Sequence, residues 1–244
     1  MNRTIIKIIT YLKGLTLLMK PHLYLGWLKN PFLMMSNTLS LTKWIAQQDK
    51  TNIFNDFYSL KRDHAKRYNL YQYVIDKLSL KEESIDYFEF GVCAGESIKW
   101  WVANTLNKDN RFYGFDTFEG LPEDWGTFRK GDMNANIPII EDTRVQFIQG
   151  LFQDSVPEFL SDFPINNGKR KIIHMDADLF SSTLFALSSM YPYLRKGDIL
   201  FFDEFNVPNH EFFAFKCFCD SYYVKTKLIG AVNNYYQVAL LITD

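Results

Sequence analysis

The first 48 residues contain no Asp or Glu, while Arg3, Lys7, Lys13, Lys20, Lys29 and Lys43 give that stretch six positive charges. The whole chain carries a formal −1, so the remainder stands at −7. The amino-terminal stretch is therefore a different kind of segment from the rest. A total near zero lacks the basic footprint of a nucleic-acid binder. Cysteine is scarce: Cys93, Cys217 and Cys219 make no even disulfide framework, which points to a reducing compartment. Cys217-Phe218-Cys219 lacks the partners and spacing of a zinc site and reads as packing. Long hydrophobic runs are also missing. Ile5 to Leu18 is apolar but broken by Lys7 and Lys13, too short and too charged to span a bilayer, and no small-residue cleavage motif follows it.

What is present is core-forming material. Of the 244 residues 47% are hydrophobic and 17% aromatic, enough for one large α/β domain with some tens of residues to spare. Ile5, Ile6, Ile9, Leu12 and Leu15 recur at helical spacing, predicting an amphipathic helix that ends near Lys20-Pro21. Gly26-Trp27 and Asn30-Pro31 punctuate a less regular stretch. Asn55 to Leu78 reads as a further helix with Leu70, Val74 and Leu78 on one face.

From there strands and helices alternate. Strands are expected at Tyr87–Phe90, Arg111–Asp116, Val145–Gly150, Lys171–Asp176 and Asp198–Asp203, with late strands near 225–230 and 236–242. Helices are expected over Glu96–Leu106, Val156–Leu160 and Ser182–Leu194, the last capped by its serines. Such repetition argues for a doubly wound, mostly parallel sheet. We place a helical extension at residues 1–80 and the sheet domain at residues 81–244. Ligands on such sheets sit beyond the carboxyl ends of the strands.

Those ends carry chemistry. They deliver Glu89 with the turn Gly91-Val92-Cys93-Ala94-Gly95, then Asp116, then Gly150 to Asp154, then Asp176-Ala177-Asp178, then Asp203-Glu204. One acidic strand end means little, since Asp also caps helices; five on one edge are harder to explain by packing. Glycines let backbone N–H groups approach a ligand. Asp116, 21 residues past Gly95, is placed to accept hydrogen bonds from both hydroxyls of a ribose. Only Gly91 and Gly95 are present, so the turn is not the G-x-G-x-x-G dinucleotide fingerprint.

Residues from about 87 to 242 resemble class I S-adenosylmethionine-dependent O-methyltransferases, specifically the macrocin and mycinamicin sugar O-methyltransferases. The resemblance rests on Tyr113-Gly114-Phe115-Asp116-Thr117-Phe118-Glu119-Gly120-Leu121-Pro122, on Asp176-Ala177-Asp178-Leu179-Phe180-Ser181-Ser182-Thr183, and on Tyr191-Pro192 and Asp203-Glu204. It implies a Rossmann-like fold and methylation of a hydroxyl on a sugar, glycan or glycosylated metabolite, with Mg²⁺ assistance. It implies that Glu89, Gly91, Gly95 and Ser97 hold the methionine end of the cofactor and Asp116 with Thr117 the ribose. Phe152 and Gln153 would flank the adenine, with Asp176 also at the cofactor, and Asp176, Asp203 and Glu204 would bind the metal. Glu204 departs from the group, which has Asp there. Asp176 and His210 are the expected acid–base residues, and His174 reads as packing or support. In catechol-type relatives a lysine three residues after the first metal aspartate acts as base; here that position is Leu179, which disfavours a phenolic acceptor. The other readings are that phenolic chemistry or a non-catalytic scaffold that holds the nucleoside without turnover.

Between the second and third strands, residues 125–141 form a long loop whose aromatic rings could stack on a sugar or simply pack on their own domain. The basic segment, residues 1–48, is expected to make a peripheral membrane contact, or residues 1–75 to form a lid or a homo-oligomer contact. The expected location is accordingly cytoplasmic, with the inner face of the membrane as the variant in which that segment binds lipid.

Overall fold

The computed structural model describes residues 3–164 and 166–244. It begins with helices α1 (Arg3–Leu18) and α2 (His22–Leu25), a 3₁₀ turn at Gly26–Leu28, and helix α3 (Lys29–Gln47). The stretch read from sequence as irregular is thus mostly one helix. Pro31 sits in its first turn, where a backbone N–H has no intrahelical partner and its loss is harmless.

After a short strand β1 (Phe54–Asn55), the chain stays irregular until helix α4 (Lys66–Leu78). The single helix expected over Asn55–Leu78 therefore begins eleven residues later than predicted. Asp and Asn side chains there bond their own backbone in place of a helical ladder: Asn55 accepts from Phe57 N at 2.8 Å and Asp63 from Ala65 N at 2.9 Å. On α4, Leu70 and Val74 are buried as the spacing implied.

The remaining elements alternate: β2 (Ile85–Phe90), α5 (Glu96–Asn104), β3 (Arg111–Asp116), β4 (Val145–Gln149), α6 (Phe152–Asp162), β5 (Arg170–Met175), α7 (Phe180–Met190), β6 (Ile199–Phe202), α8 (Glu211–Tyr222), β7 (Thr226–Val232) and β8 (Gln237–Ile242). They form one eight-stranded sheet in the order β1-β7-β8-β6-β5-β2-β3-β4. All pairings are parallel except those of β8 with its two neighbours. This is the doubly wound, mostly parallel Rossmann-like sheet expected from the sequence.

Every residue of β2 is buried, as a central strand covered on both faces requires. Helices α4 and α5 cover one face, where Tyr71, Trp101 and Ile98 pack on Tyr87, Phe112 and Phe201. The other face is filled from α6, α7 and α8, and from α3 through Leu41. Trp44 of α3 meets Phe205 with ring centroids 4.9 Å apart, which ties the end of α3 to the sheet domain. Helix α7 carries no serine cap. Leu179 occupies its capping position, and the Ser181 hydroxyl donates instead to Glu123 Oε1 at 2.9 Å.

Candidate active site

Strand order reverses between β2 and β5, and at that switch point the two strands part beyond their carboxyl ends. A cavity of about 750 Å³ opens there. Gly91, Cys93, Asp116, Thr117, Phe152, Gln153, Asp176, Asp178, Asp203 and Glu204 line its floor, and Arg62, Arg67, Trp125, Phe128 and Tyr236 its walls. Eight residues singled out in the sequence thus face one space.

Gly91 makes that space. It follows β2 at φ +92°, and its amide donates to Phe115 O at 2.9 Å while Asp176 N donates to Phe90 O at 2.9 Å. Asp116 has a more structural task than its place at a strand end suggested. Its Oδ2 accepts from Val92 N at 2.7 Å and Cys93 N at 2.8 Å, and its Oδ1 from Phe118 N at 2.8 Å. A carboxylate has about four acceptor positions. Asp116 therefore clamps the glycine turn and keeps one position for a ligand, not two. Thr117 shapes the next turn, donating to Gly120 O at 2.9 Å. Phe152 begins α6 and stands edge-on to Phe90, with Gln153 beside it on the cavity surface.

Glu89, Gly95, Ser97 and His210 are not among the lining residues. Glu89 and Ser97 are buried behind the turn at the two ends of one polar chain. The Tyr87 hydroxyl donates to Glu89 Oε2 at 2.6 Å and lies 2.7 Å from His174 Nδ1; His174 Nε2 lies 3.3 Å from the Tyr71 hydroxyl, itself 3.4 Å from Ser97 Oγ. With Tyr87 donating to Glu89, the chain runs in one direction if His174 carries its proton on Nδ1. Burial lowers the His174 pKa to about 3, which keeps the ring neutral. His174 is buried in this chain and does not line the cavity. His210 lies at the start of α8, edge-on to Trp125 with centroids 6.2 Å apart.

Burial also pushes the Glu89 carboxyl up to about 8, against the opposing hydrogen bond from Tyr87. A raised carboxylate pKa means the folded state holds a proton that the unfolded chain releases. The associated stability is full below about pH 4.5 and is lost as pH rises through about 8. Glu89→Gln is therefore expected to raise the cofactor-free melting temperature by roughly 5 °C above pH 8 and to leave it unchanged in mild acid. Scanning fluorimetry across pH tests this; a gain of equal size at both ends would show that ionisation is not the cause.

The acidic floor is larger than the sequence indicated. Asp176, Asp203 and Glu204 bring ligand oxygens within 4.8 Å of one another. Asp178 and Glu211 stand close by, and burial followed by mutual repulsion holds Asp176, Glu204 and Glu211 well above the usual carboxylate range. Some compensation is in place. Arg67 approaches Asp203 at 3.7 Å, Tyr236 donates to Glu204 Oε1 at 2.7 Å, and Glu204 N donates to Glu211 Oε2 at 2.8 Å. Yet Asp203 Oδ1 and Glu204 Oε2 are buried without a partner. Buried acceptors of this kind are costly unless a proton or cation meets them. An all-oxygen set suits a hard divalent cation.

The sequence reading missed Arg62, Arg67, Tyr236 and Glu211. Arg62 lies over the Tyr236 ring at 3.4 Å. Tyr71 and Tyr87 were missed as well, although a signal existed for Tyr87: it lies two residues before Glu89 on one face of β2.

Residues 88–205 match the family model described as a methyltransferase domain. No curated protein matches the chain by sequence. Among solved structures, the chain is similar to CalS11, a calicheamicin methyltransferase, with a TM-score of 0.58 and 21% identity over 85% of this chain and 91% of that one. An apo structure of CalS11, described as a TDP-rhamnose 3′-O-methyltransferase, gives a TM-score of 0.52 and 20% identity over 85% and 93%. The O-methyltransferase NovP gives 0.52 and 19% over 73% and 80%. At such identities the fold is what is shared. Over residues 88–205 the chain is similar to a methyltransferase domain, and it shares the Rossmann-like fold of these structures.

Proposed function

We propose that the protein is an S-adenosylmethionine-dependent O-methyltransferase acting, with a bound Mg²⁺, on a hydroxyl of a sugar, glycan or glycosylated metabolite. The observation that carries this reading is the convergence of Asp176, Asp203 and Glu204 on the floor of a cavity that Gly91 and Cys93 of the glycine turn also line. The sugar acceptor draws support from the TDP-rhamnose 3′-O-methyltransferase activity of CalS11, which shares the fold.

S-adenosylmethionine, when bound, supplies a methyl group on a sulfonium, which transfers to oxygen and leaves a neutral thioether. The turn from Gly91 to Gly95 would receive its amino-acid end, with the buried Glu89 carboxyl behind the turn. The free acceptor position of Asp116 suits one ribose hydroxyl, and Phe152 with Gln153 borders the place for the adenine. Asp176, Asp203 and Glu204 would hold the divalent ion, whose charge lowers the pKa of a chelated sugar hydroxyl. Asp176, which lines the cavity, is favoured over His210 as the group that accepts the hydroxyl proton. Leu179 is buried and cannot move a proton, which speaks against catechol-type chemistry.

Trp125 and Phe128, stacked at 5.4 Å, form an apolar cavity wall suited to a sugar face. Trp125→Ala is expected to raise KM for the acceptor about tenfold with kcat little changed, since stacking binds ground and transition states alike. A fall in kcat at constant KM would remove Trp125 from this role.

Calorimetry with S-adenosylmethionine, with and without Mg²⁺, followed by assays on glycosylated acceptors, tests the proposal. Cofactor binding with Mg²⁺-dependent methylation of a vicinal diol is the expected result. Tight cofactor binding that ignores Mg²⁺, with no methylation of any glycan, would sink it and favour a non-catalytic scaffold. Turnover of phenols without vicinal hydroxyls, unaffected by Asp203→Ala, would favour the phenolic reading.

A further inference from the structure

Residues 3–27 contain no buried residue. Leu12, Leu15, Leu17 and Leu18 of α1 are exposed, as are Tyr11, Leu23, Tyr24 and Trp27. This apolar surface is not spent on the chain's own domain. On α1 the apolar positions Ile5, Ile8, Ile9, Leu12 and Leu15 fall on one stripe at helical spacing, and Arg3, Lys7, Thr10 and Gly14 fall opposite. The helical hydroxyls turn inward: Thr10 donates to Ile6 O and Thr16 to Leu12 O, each at 2.9 Å, so neither needs water as an acceptor.

We propose that residues 3–27 form an interfacial anchor that lies on an anionic lipid surface, with the apolar stripe of α1 in the acyl boundary and its lysines at the headgroups. The charge pattern selects this occupant. Arg3, Lys7, Lys13, Lys20, Lys29 and Lys43 have no acidic residue among them in sequence. A second copy of α1 packed on the same stripe would bring only further cations to the contact, whereas anionic headgroups neutralise them. Tyr11, Tyr24 and Trp27 are the residue types that settle at a membrane–water boundary. Among the described residues no helix is long and apolar enough to cross a membrane, so the anchor lies along the surface.

Flotation of the full chain with phosphatidylcholine vesicles, with and without phosphatidylglycerol, tests this. Binding is expected to the anionic vesicles and to fall as salt rises. The triple variant Lys7→Glu/Lys13→Glu/Lys20→Glu is expected to lose about a hundredfold or more in partitioning. Leu12→Ser/Leu15→Ser is also expected to detach, and both variants should unfold at the parent temperature because α1 lends nothing to the core. Equal binding to neutral and anionic vesicles, or binding to neither, overturns the proposal. So does a dimer in lipid-free sedimentation that Leu12→Ser/Leu15→Ser converts to monomer, which would assign the stripe to a second copy.

Discussion

Glu204→Gln is expected to lower methyl transfer by roughly a thousandfold while raising the melting temperature of the cofactor-free protein. Both effects come from one atom. Glu204 Oε2 is buried with no partner, and its carboxyl stands among Asp176, Glu211, Asp178 and Asp203, each of which opposes its ionisation. The amide keeps the side chain's shape, and its oxygen can still accept from Tyr236, which now meets Glu204 Oε1 at 2.7 Å. What disappears is a buried carboxyl that the folded state must either protonate or hold ionised without a matching cation. Removing it relieves repulsion in the cofactor-free state. The same removal leaves two carboxylates for the proposed divalent ion, which would otherwise have three. Loss of several kcal/mol of charge stabilisation in the transition state corresponds to the stated drop in rate. Two readouts decide it. Fluorimetric melting with increasing Mg²⁺ should raise the parent's midpoint and leave the variant's flat, and initial rates should show the loss at saturating cofactor. A variant that keeps the parent rate, or a parent whose midpoint ignores Mg²⁺, would remove Glu204 from any metal role.

The floor of this site was readable in sequence because its parts are local. Apolar stretches such as Tyr87-Phe88 and Ile172-Ile173 mark buried parallel strands, and polar residues at the strand ends fall on one edge by topology alone. The walls were not readable in the same way. Arg62 and Arg67 come from the irregular chain before α4 and its first turn, and they reach the cavity because Asn233 and Asn234 in the β7–β8 hairpin bind that chain. Asn233 Oδ1 accepts from Asp63 N at 2.9 Å and Asn234 Oδ1 from Ser59 N at 2.8 Å. Those bonds join positions about 170 residues apart, and no local pattern signals them. The same dependence explains why Asn55 to Ala65 was misread as helix: what holds it in place lies at the far end of the chain. Glu211 escaped notice for another reason. The helix that it begins, α8, was not expected from the sequence, and only the packing of α8 beside the strand ends buries Glu211 with the other carboxylates.

Gly91→Ala should be among the most damaging single substitutions in the domain, at about 4 kcal/mol. A Cβ built at this position would lie 1.9 Å from Asp176 O and 2.7 Å from Asp176 C, at φ +92°. Both atoms are backbone, so no rotamer change can clear them. Backbone relief is closed as well, since Gly91 N is held by Phe115 O and Asp176 N by Phe90 O. The residue therefore joins three strand ends at the switch point, and displacing it displaces Asp176. A loss of about 4 kcal/mol lowers the melting temperature of a domain this size by roughly 12 °C. Cofactor affinity should fall further than stability accounts for, because the turn and the first acidic residue move together. Gly126→Ala separates steric clash from backbone preference. Gly126 also has positive φ, +56°, but a Cβ there meets nothing within 4 Å, so its cost should stay near 1 kcal/mol. If the two variants melt at the same temperature, the close approach of Gly91 to Asp176 does not govern the stability of this edge.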